Sequence, residues 1–189
     1  MSESDSDSVL AECERKMGRT VEVLQQDFAG IRTGRATTSV LDKVQVDAWG
    51  STQPINSVAS INVPEPRLLV IQPWDKSLIG AIEKAILKSD LGMTPNNDGS
   101  VIRLAFPPPN EQRRQEIAKQ VRKRAEEAKV SVRNVRRDAD GELKKFEKDG
   151  KISQDELRRS TERVQKLTDQ AVKNVEDAAD RKEKEVKEV

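Results

Sequence analysis

The stretch from Asn110 to Phe146 constrains this chain more than any other. Ile117, Val121, Ala125, Ala128, Val132, Val135, Ala139, Leu143 and Phe146 recur there at spacings of three and four, the pattern of a single helix with one buried face. A helix that long cannot cover its own apolar stripe, so the fold must bring other helices against it. At about 100° per residue, Lys119, Arg122, Lys129, Arg133, Arg136 and Arg137 fall together on an adjacent strip. Core stripe and cationic strip lie side by side, which fits an anionic partner.

Two further stripes can supply the cover. Leu10, Cys13, Met17, Val21, Leu24, Phe28 and Ile31 predict a helix from Val9 to about Ile31. Gly18 weakens it by about 1 kcal/mol relative to Ala, and Gly34 is expected to end it within Arg32 to Ala36. Beyond Gly150, Ser153-Gln154-Asp155-Glu156 has the form of a capping box. It opens a helix striped by Leu157, Ser160, Val164, Leu167, Ala171, Val175 and Ala178. The last two helices should form an antiparallel hairpin about 50 to 60 Å long, with the first helix in its groove.

Between Val40 and Phe106 the period changes. Lys43 to Trp49 alternates, Ser57 to Val63 and Arg67 to Gln72 are rich in β-branched residues and leucine, and Val101 to Phe106 puts Ile102, Leu104 and Phe106 on one face. Asp75 to Ser89 has helical spacing with Asp75 as a cap, and Asn96-Asn97-Asp98-Gly99 is a turn signal. Trp49 and Trp74 are expected to pack. Pro107-Pro108-Pro109 blocks helix and central strand alike, and Asn110 supplies an N-cap for the long helix. The expected fold is α+β: an elongated three-helix bundle, residues 1–34 with 107–189, interrupted by a small α/β domain, residues 35–106.

Composition removes several kinds of chemistry. The chain has no His, no Tyr and one Cys, so the usual zinc sites, His-based triads and disulfide frameworks cannot be assembled. Cys13 falls on the first apolar stripe and reads as a small core residue. No G-x-x-x-x-G-K-S/T or G-x-G-x-x-G loop is present, and no Asp or Glu stands in an apolar run that would raise its pKa for acid–base work. No cofactor or metal is expected. No apolar run is long enough to span a membrane, and the acidic start Ser2 to Ser8, expected to fray, does not resemble a targeting peptide. A cytoplasmic protein is expected.

Local charge pairing sorts the basic residues. Arg122 and Lys123 have Glu126 and Glu127 four residues on and are expected to pair with them. Arg133 faces Lys129, Arg136 and Arg137 at helical spacing with no acid in those registers, a repulsion of a few tenths of a kcal/mol per pair. Arginine forks meeting phosphate oxygens are a sufficient reason for such a cluster. Arg32 and Arg35 are either further anion contacts or solvated charges near a helix end.

Four segments together resemble the bacterial ribosome recycling factor family: Arg32-Thr33-Gly34-Arg35-Ala36; Ser60-Ile61-Asn62-Val63-Pro64-Glu65; Ser89-Asp90-Leu91-Gly92 with Asn97-Asp98-Gly99; and Val130-Ser131-Val132-Arg133-Asn134-Val135-Arg136-Arg137-Asp138. The resemblance implies an L-shaped monomer that does no chemistry and lies on the large ribosomal subunit after termination. Elongation factor G, using GTP, would then drive subunit separation and meet the small domain. It also implies rRNA contacts at Arg133, Arg136 and Arg137, with Lys129 alongside, Arg32 and Arg35 near the junction, and Arg114 at the base of the long helix. The hinge would involve Thr33, Gly34, Ala36, Pro107, Pro108 and Pro109. Pro109-Asn110-Glu111-Gln112 departs from the family's more usual leucine, threonine and two glutamates. The alternative reading is a helical adaptor whose basic arm binds an acidic protein.

Overall fold

The computed structural model describes residues 5–189, so Ser2, Glu3 and Ser4 of the acidic start lie outside it. In chain order the elements are α1 (Asp5–Ala29), β1 (Gln45–Ala48), β2 (Ser51–Pro54), β3 (Ala59–Glu65), β4 (Leu68–Pro73), α2 (Ile79–Lys88), β5 (Asn96–Asn97), β6 (Ile102–Ala105), α3 (Glu111–Lys148) and α4 (Gln154–Lys187). Two compact units result. One holds α1, α4 and all but the first residue of α3, and the other holds everything between Thr33 and Glu111 together with Val189.

The helical unit is built as the three stripes require. Ile117, Val121, Val132 and Leu143 of α3 are fully buried beside Leu10, Met17, Leu24 and Phe28 of α1 and Val164 and Val175 of α4. Each such side chain contributes about 1.5–3 kcal/mol, which outweighs the few tenths lost to each like-charge pair on the surface of α3. Arg124 of α3 reaches Asp27 near the end of α1 at 3.4 Å, and Arg163 of α4 reaches Asp7 near its start at 3.5 Å. Hence α1 runs antiparallel to α3 and parallel to α4. At about 1.5 Å per residue, the 38 residues of α3 span about 57 Å.

Helix ends differ from the expectation in instructive ways. α1 starts at Asp5, where Asp5 and Asp7 complement the helix dipole. It stops at Ala29, ahead of Gly34, with the Gly30 N–H still bonded to the Gln26 carbonyl. Gly150, at φ +71, lets the Lys151 N–H return to the Phe146 carbonyl at 2.9 Å and closes α3. Ser153 caps α4 by accepting the Glu156 N–H at 3.0 Å. Only half of the capping box forms, because the Glu156 carboxylate accepts the hydroxyl of Ser6 on α1 instead.

The α/β unit contains a β1–β2 hairpin and a four-stranded antiparallel sheet in the order β3-β4-β6-β5. Alternation sends Leu69 and Ile71 of β4 and Ile102 and Leu104 of β6 into a core shared with Ile82 and Ile86 of α2. At the edge, β3 shifts register between Asn62 and Glu65 and carries Pro64 there, features that discourage pairing with another chain. β2 and β5 were not expected, since Ser51–Pro54 has no apolar alternation and Asn96–Asn97 is two residues long. Asp75 caps a short 3-10 turn, Lys76–Leu78, that precedes α2.

The tryptophans overturn the expectation that they pack. Trp49 is 64% and Trp74 66% exposed. The hydrophobic run that each belongs to ends one residue earlier, at buried Ala48 and Pro73.

Candidate nucleic-acid interface

The basic residues of α3 separate into two rows. Arg122, Lys129 and Arg136 are seven residues apart, which keeps them on one line beside the core seam, and that line faces α4. Arg122 donates to Glu183 at 2.6 Å, Asp180 at 2.8 Å and Glu176 at 3.3 Å. These hydrogen bonds, Glu183 first and Asp180 next, raise its pKa above the ordinary arginine value. Its expected partner Glu126 is taken instead by Lys129 at 3.0 Å, and Lys129 also pairs with Glu176. With its side chain 12% exposed, Lys129 is committed within the bundle. Arg136 is half-buried and donates to Gln165 at 3.5 Å.

The second row points away from α4. Arg133 and Arg137 are exposed, and among the described residues their guanidinium groups have no ion-pair partner. Lys119 and Lys123 continue this exposed strip toward the start of α3, and Lys123 is not paired with Glu127 as expected. The pairing rule for α3 alone predicts partners within the helix. It misses α4, whose Glu176, Asp180 and Glu183 lie three and four residues apart along one side of the seam.

The other candidates are placed separately. Arg114 is half-buried on the first turns of α3, about 28 Å along the helix from Arg133. Its Nε is buried without a hydrogen bond, although the residue has another interaction. Arg32 and Arg35 are both exposed. Thr33, Gly34, Ala36 and Pro107 to Pro109 all fall in the α/β unit. Thr33 and Ala36 are buried, and the Ala36 N–H donates to the Pro66 carbonyl at 2.7 Å. Gly34 has φ +85, and a Cβ added there would lie 2.8 Å from Cδ of Pro109.

One acidic residue departs from the sequence reading. Asp140 is half-buried with Oδ1 lacking a hydrogen bond. Burial raises its pKa, against the opposing charges of Arg136 and Lys144. The cause is tertiary: α1 packs over this part of α3, and Asp140 in turn helps burial raise the pKa of the Cys13 thiol. Cys13 itself is buried as expected, with Sγ 4.0 Å from Sδ of Met17. Among the described residues no cluster of Asp, Glu, Cys or His could hold a metal, and no helix is long and apolar enough to cross a membrane.

Known proteins match this arrangement over nearly its whole length. The ribosome recycling factor family model matches residues 24–186. The ribosome-recycling factor of Carboxydothermus hydrogenoformans is 56% identical over 178 residues, covering 94% of this chain and 96% of that protein. That of Bacillus subtilis is 55% identical over 184 residues, covering 97% and 100%. A solution structure of the ribosome recycling factor aligns over 100% of both chains with a TM-score of 0.70 and 39% identity. A second match comes from models for the T. thermophilus ribosome recycling factor and E. coli elongation factor G bound to the E. coli post-termination complex, with a TM-score of 0.59, 40% identity and coverage of 96% and 98%. With more than half of its residues inside the family model and relatives this similar along their full length, the chain belongs to the ribosome recycling factor family.

Proposed function

We propose that this protein binds the post-termination ribosome through the outer row of α3 and, with elongation factor G and GTP, separates the subunits. The observation that carries the binding mode is the exposure of Arg133 and Arg137, which have no ion pair among the described residues, on a helix where Arg122 and Lys129 are held by carboxylates of α4. Phosphate oxygens fit these guanidinium forks, and counterion release makes such binding salt-dependent. Arg136 joins them at the row's edge, Arg114, Arg32 and Arg35 extend the contact, and Lys129 reaches RNA only if its pairs with Glu126 and Glu176 open.

The protein acts in the cytoplasm by binding geometry alone, and the energy is the elongation factor's. Support for this comes from the family's standing as a translation factor and from the missing phosphate loops and histidines. The test is subunit splitting of post-termination ribosomes with and without elongation factor G and GTP, beside co-sedimentation across a salt series. Splitting that requires all three components is expected. GTP hydrolysis by the protein alone, or binding that does not respond to salt, would refute the proposal.

A further inference from the structure

Six residues of α3 share one line on the side of the helix away from its core seam. At about 100° per residue, Lys119, Lys123, Glu126, Val130, Arg133 and Arg137 fall within about 40° of a common direction, about 160° from the buried face. All six are exposed. The four cations among them have no ion pair among the described residues, whereas Arg15, Arg19 and Arg158 on the other two helices are each matched by an acid at 2.7, 3.0 and 3.2 Å.

The line is nevertheless not a continuous cationic track. Its two cation pairs, Lys119 with Lys123 and Arg133 with Arg137, are separated by Glu126 and Val130. The Glu126 side chain is 63% exposed. Lys129 donates to its Oε1 at 3.0 Å, which leaves Oε2 without a hydrogen bond among the described residues. Val130 is 51% exposed, although it lies in the middle of a well-packed bundle helix. A strand of phosphates laid along this line would meet a carboxylate and an apolar side chain at its centre, and neither offers it a partner. By axial rise, the inner cations Lys123 and Arg133 stand about 15 Å apart. A surface that fits must therefore present phosphates at two places, with hydroxyls and carbon between them.

The minor groove of an A-form RNA duplex has that layout: it is wide and shallow, and it displays ribose 2′-hydroxyls between the two phosphate backbones. The A-form major groove is too deep and narrow for side chains to read, and the minor groove of B-form DNA, about 6 Å wide, is narrower than the gap between the cation pairs. We propose that α3 crosses the minor groove of an RNA duplex on the ribosome, with Lys119 and Lys123 on the phosphates of one strand and Arg133 and Arg137 on those of the other. Val130 lies on ribose carbons between the strands, and Glu126 accepts a 2′-hydroxyl. This deepens the function proposed above and rests on it, by naming the form of RNA and two residues, neither of them cationic, that recognise it.

The experiment uses the full chain carrying Val130→Lys, and separately a chain with a photo-crosslinking phenylalanine analogue at position 130. On a phosphate track the added lysine would tighten ribosome binding and steepen its logarithmic salt dependence by about 0.7 to 0.9. Over a groove floor it displaces an apolar contact and gains no phosphate. Affinity should then fall about fivefold, with the salt slope of the parent. The thermal midpoint should not fall, because the position is exposed and Lys is the better helix former. The crosslink should form to base-paired nucleotides of rRNA. Tighter binding with a steeper slope overturns the proposal, as does unchanged affinity, or a crosslink to unpaired nucleotides or to a ribosomal protein. A lowered midpoint overturns it too, by showing that Val130 packs within the bundle. If the parent itself shows no salt-dependent binding to ribosomes, the function proposed above falls, a result distinct from all of these.

Discussion

Replacing Gly34 with Ala should destabilise the α/β unit, whereas replacing Gly18 with Ala should stabilise the bundle. At Gly34 the backbone sits at φ +85 and the new Cβ would lie 2.8 Å from Cδ of Pro109. A left-handed conformation costs an L-residue about 1–2 kcal/mol. Overpacking against a stiff proline ring adds about 1–3 kcal/mol, because the ring cannot rotate away. Reduced entropy of the unfolded chain offsets about 0.4–1 kcal/mol, leaving a net loss of about 2–3 kcal/mol. Gly18 lies inside α1 with nothing within 4 Å of its missing Cβ, so Ala there should gain about 1 kcal/mol from helix propensity. Indole fluorescence is a weak probe of the first effect, since both tryptophans are already exposed. Native-state amide exchange resolves it: protection in β4 and β6 should fall in Gly34→Ala while α3 and α4 keep theirs. Unchanged protection in those strands would refute the account of Gly34 as a sterically required glycine.

Arg133→Ala and Arg137→Ala should each weaken ribosome binding and lower its salt slope by about one phosphate contact, with the thermal midpoint kept in both and slightly raised for Arg133→Ala; unfolding of either variant would show the arginine to be structural. Arg122→Ala should instead leave ribosome affinity within about twofold and lower stability by about 1 kcal/mol or less, as suits a half-exposed ion-pair network, and the loss should shrink in high salt. Asp140→Asn should raise stability at neutral pH by up to about 1 kcal/mol, by removing a charge from a half-buried site with an unsatisfied oxygen. Because burial raises the folded-state pKa of Asp140, the native protein binds this proton more tightly than the unfolded chain and gains stability as pH falls through that pKa. The advantage of Asn should therefore narrow on acidification, and an advantage that widens would contradict the sign.

Most of the fold was legible because it rests on periodicity. The stripes of α1, α3 and α4 read directly as buried faces, and the alternation of Val44, Val46 and Ala48 matches their burial. What escaped depends on pairing rather than on pattern. β2 and β5 exist because partner strands lie in register with them. Their own residues carry little strand signal. Trp49 departs from its expected place because hydrophobicity alone assigns an aromatic residue at a strand end to the core. Its true position follows from the Ala48–Ser51 register, which makes it a turn residue.

The candidate interface was legible as a helix and not as a surface. In the sequence Arg122, Lys129, Arg133, Arg136 and Arg137 form one cationic strip, and pairing within α3 sets only Arg122 apart, leaving Lys129 with the cluster around Arg133. The division comes from α4, whose acidic side chains occupy Arg122 and Lys129 and leave Arg133 and Arg137 without an ion pair among the described residues. This has an energetic logic. A cation already held by carboxylates must lose them before it meets phosphate, so its net contribution to binding is small. An unpaired guanidinium has no such competitor and has already incurred its repulsion with neighbouring cations in the free protein. Bound phosphates relieve that repulsion. Coupling measured by a double-mutant cycle between Arg133 and Arg137 should therefore be large on the ribosome and small in the isolated fold. Between Arg122 and Glu183 it should be the reverse, present in the fold and unchanged by the ribosome. Equal coupling in both states for both pairs would mean that the two rows do not differ in kind.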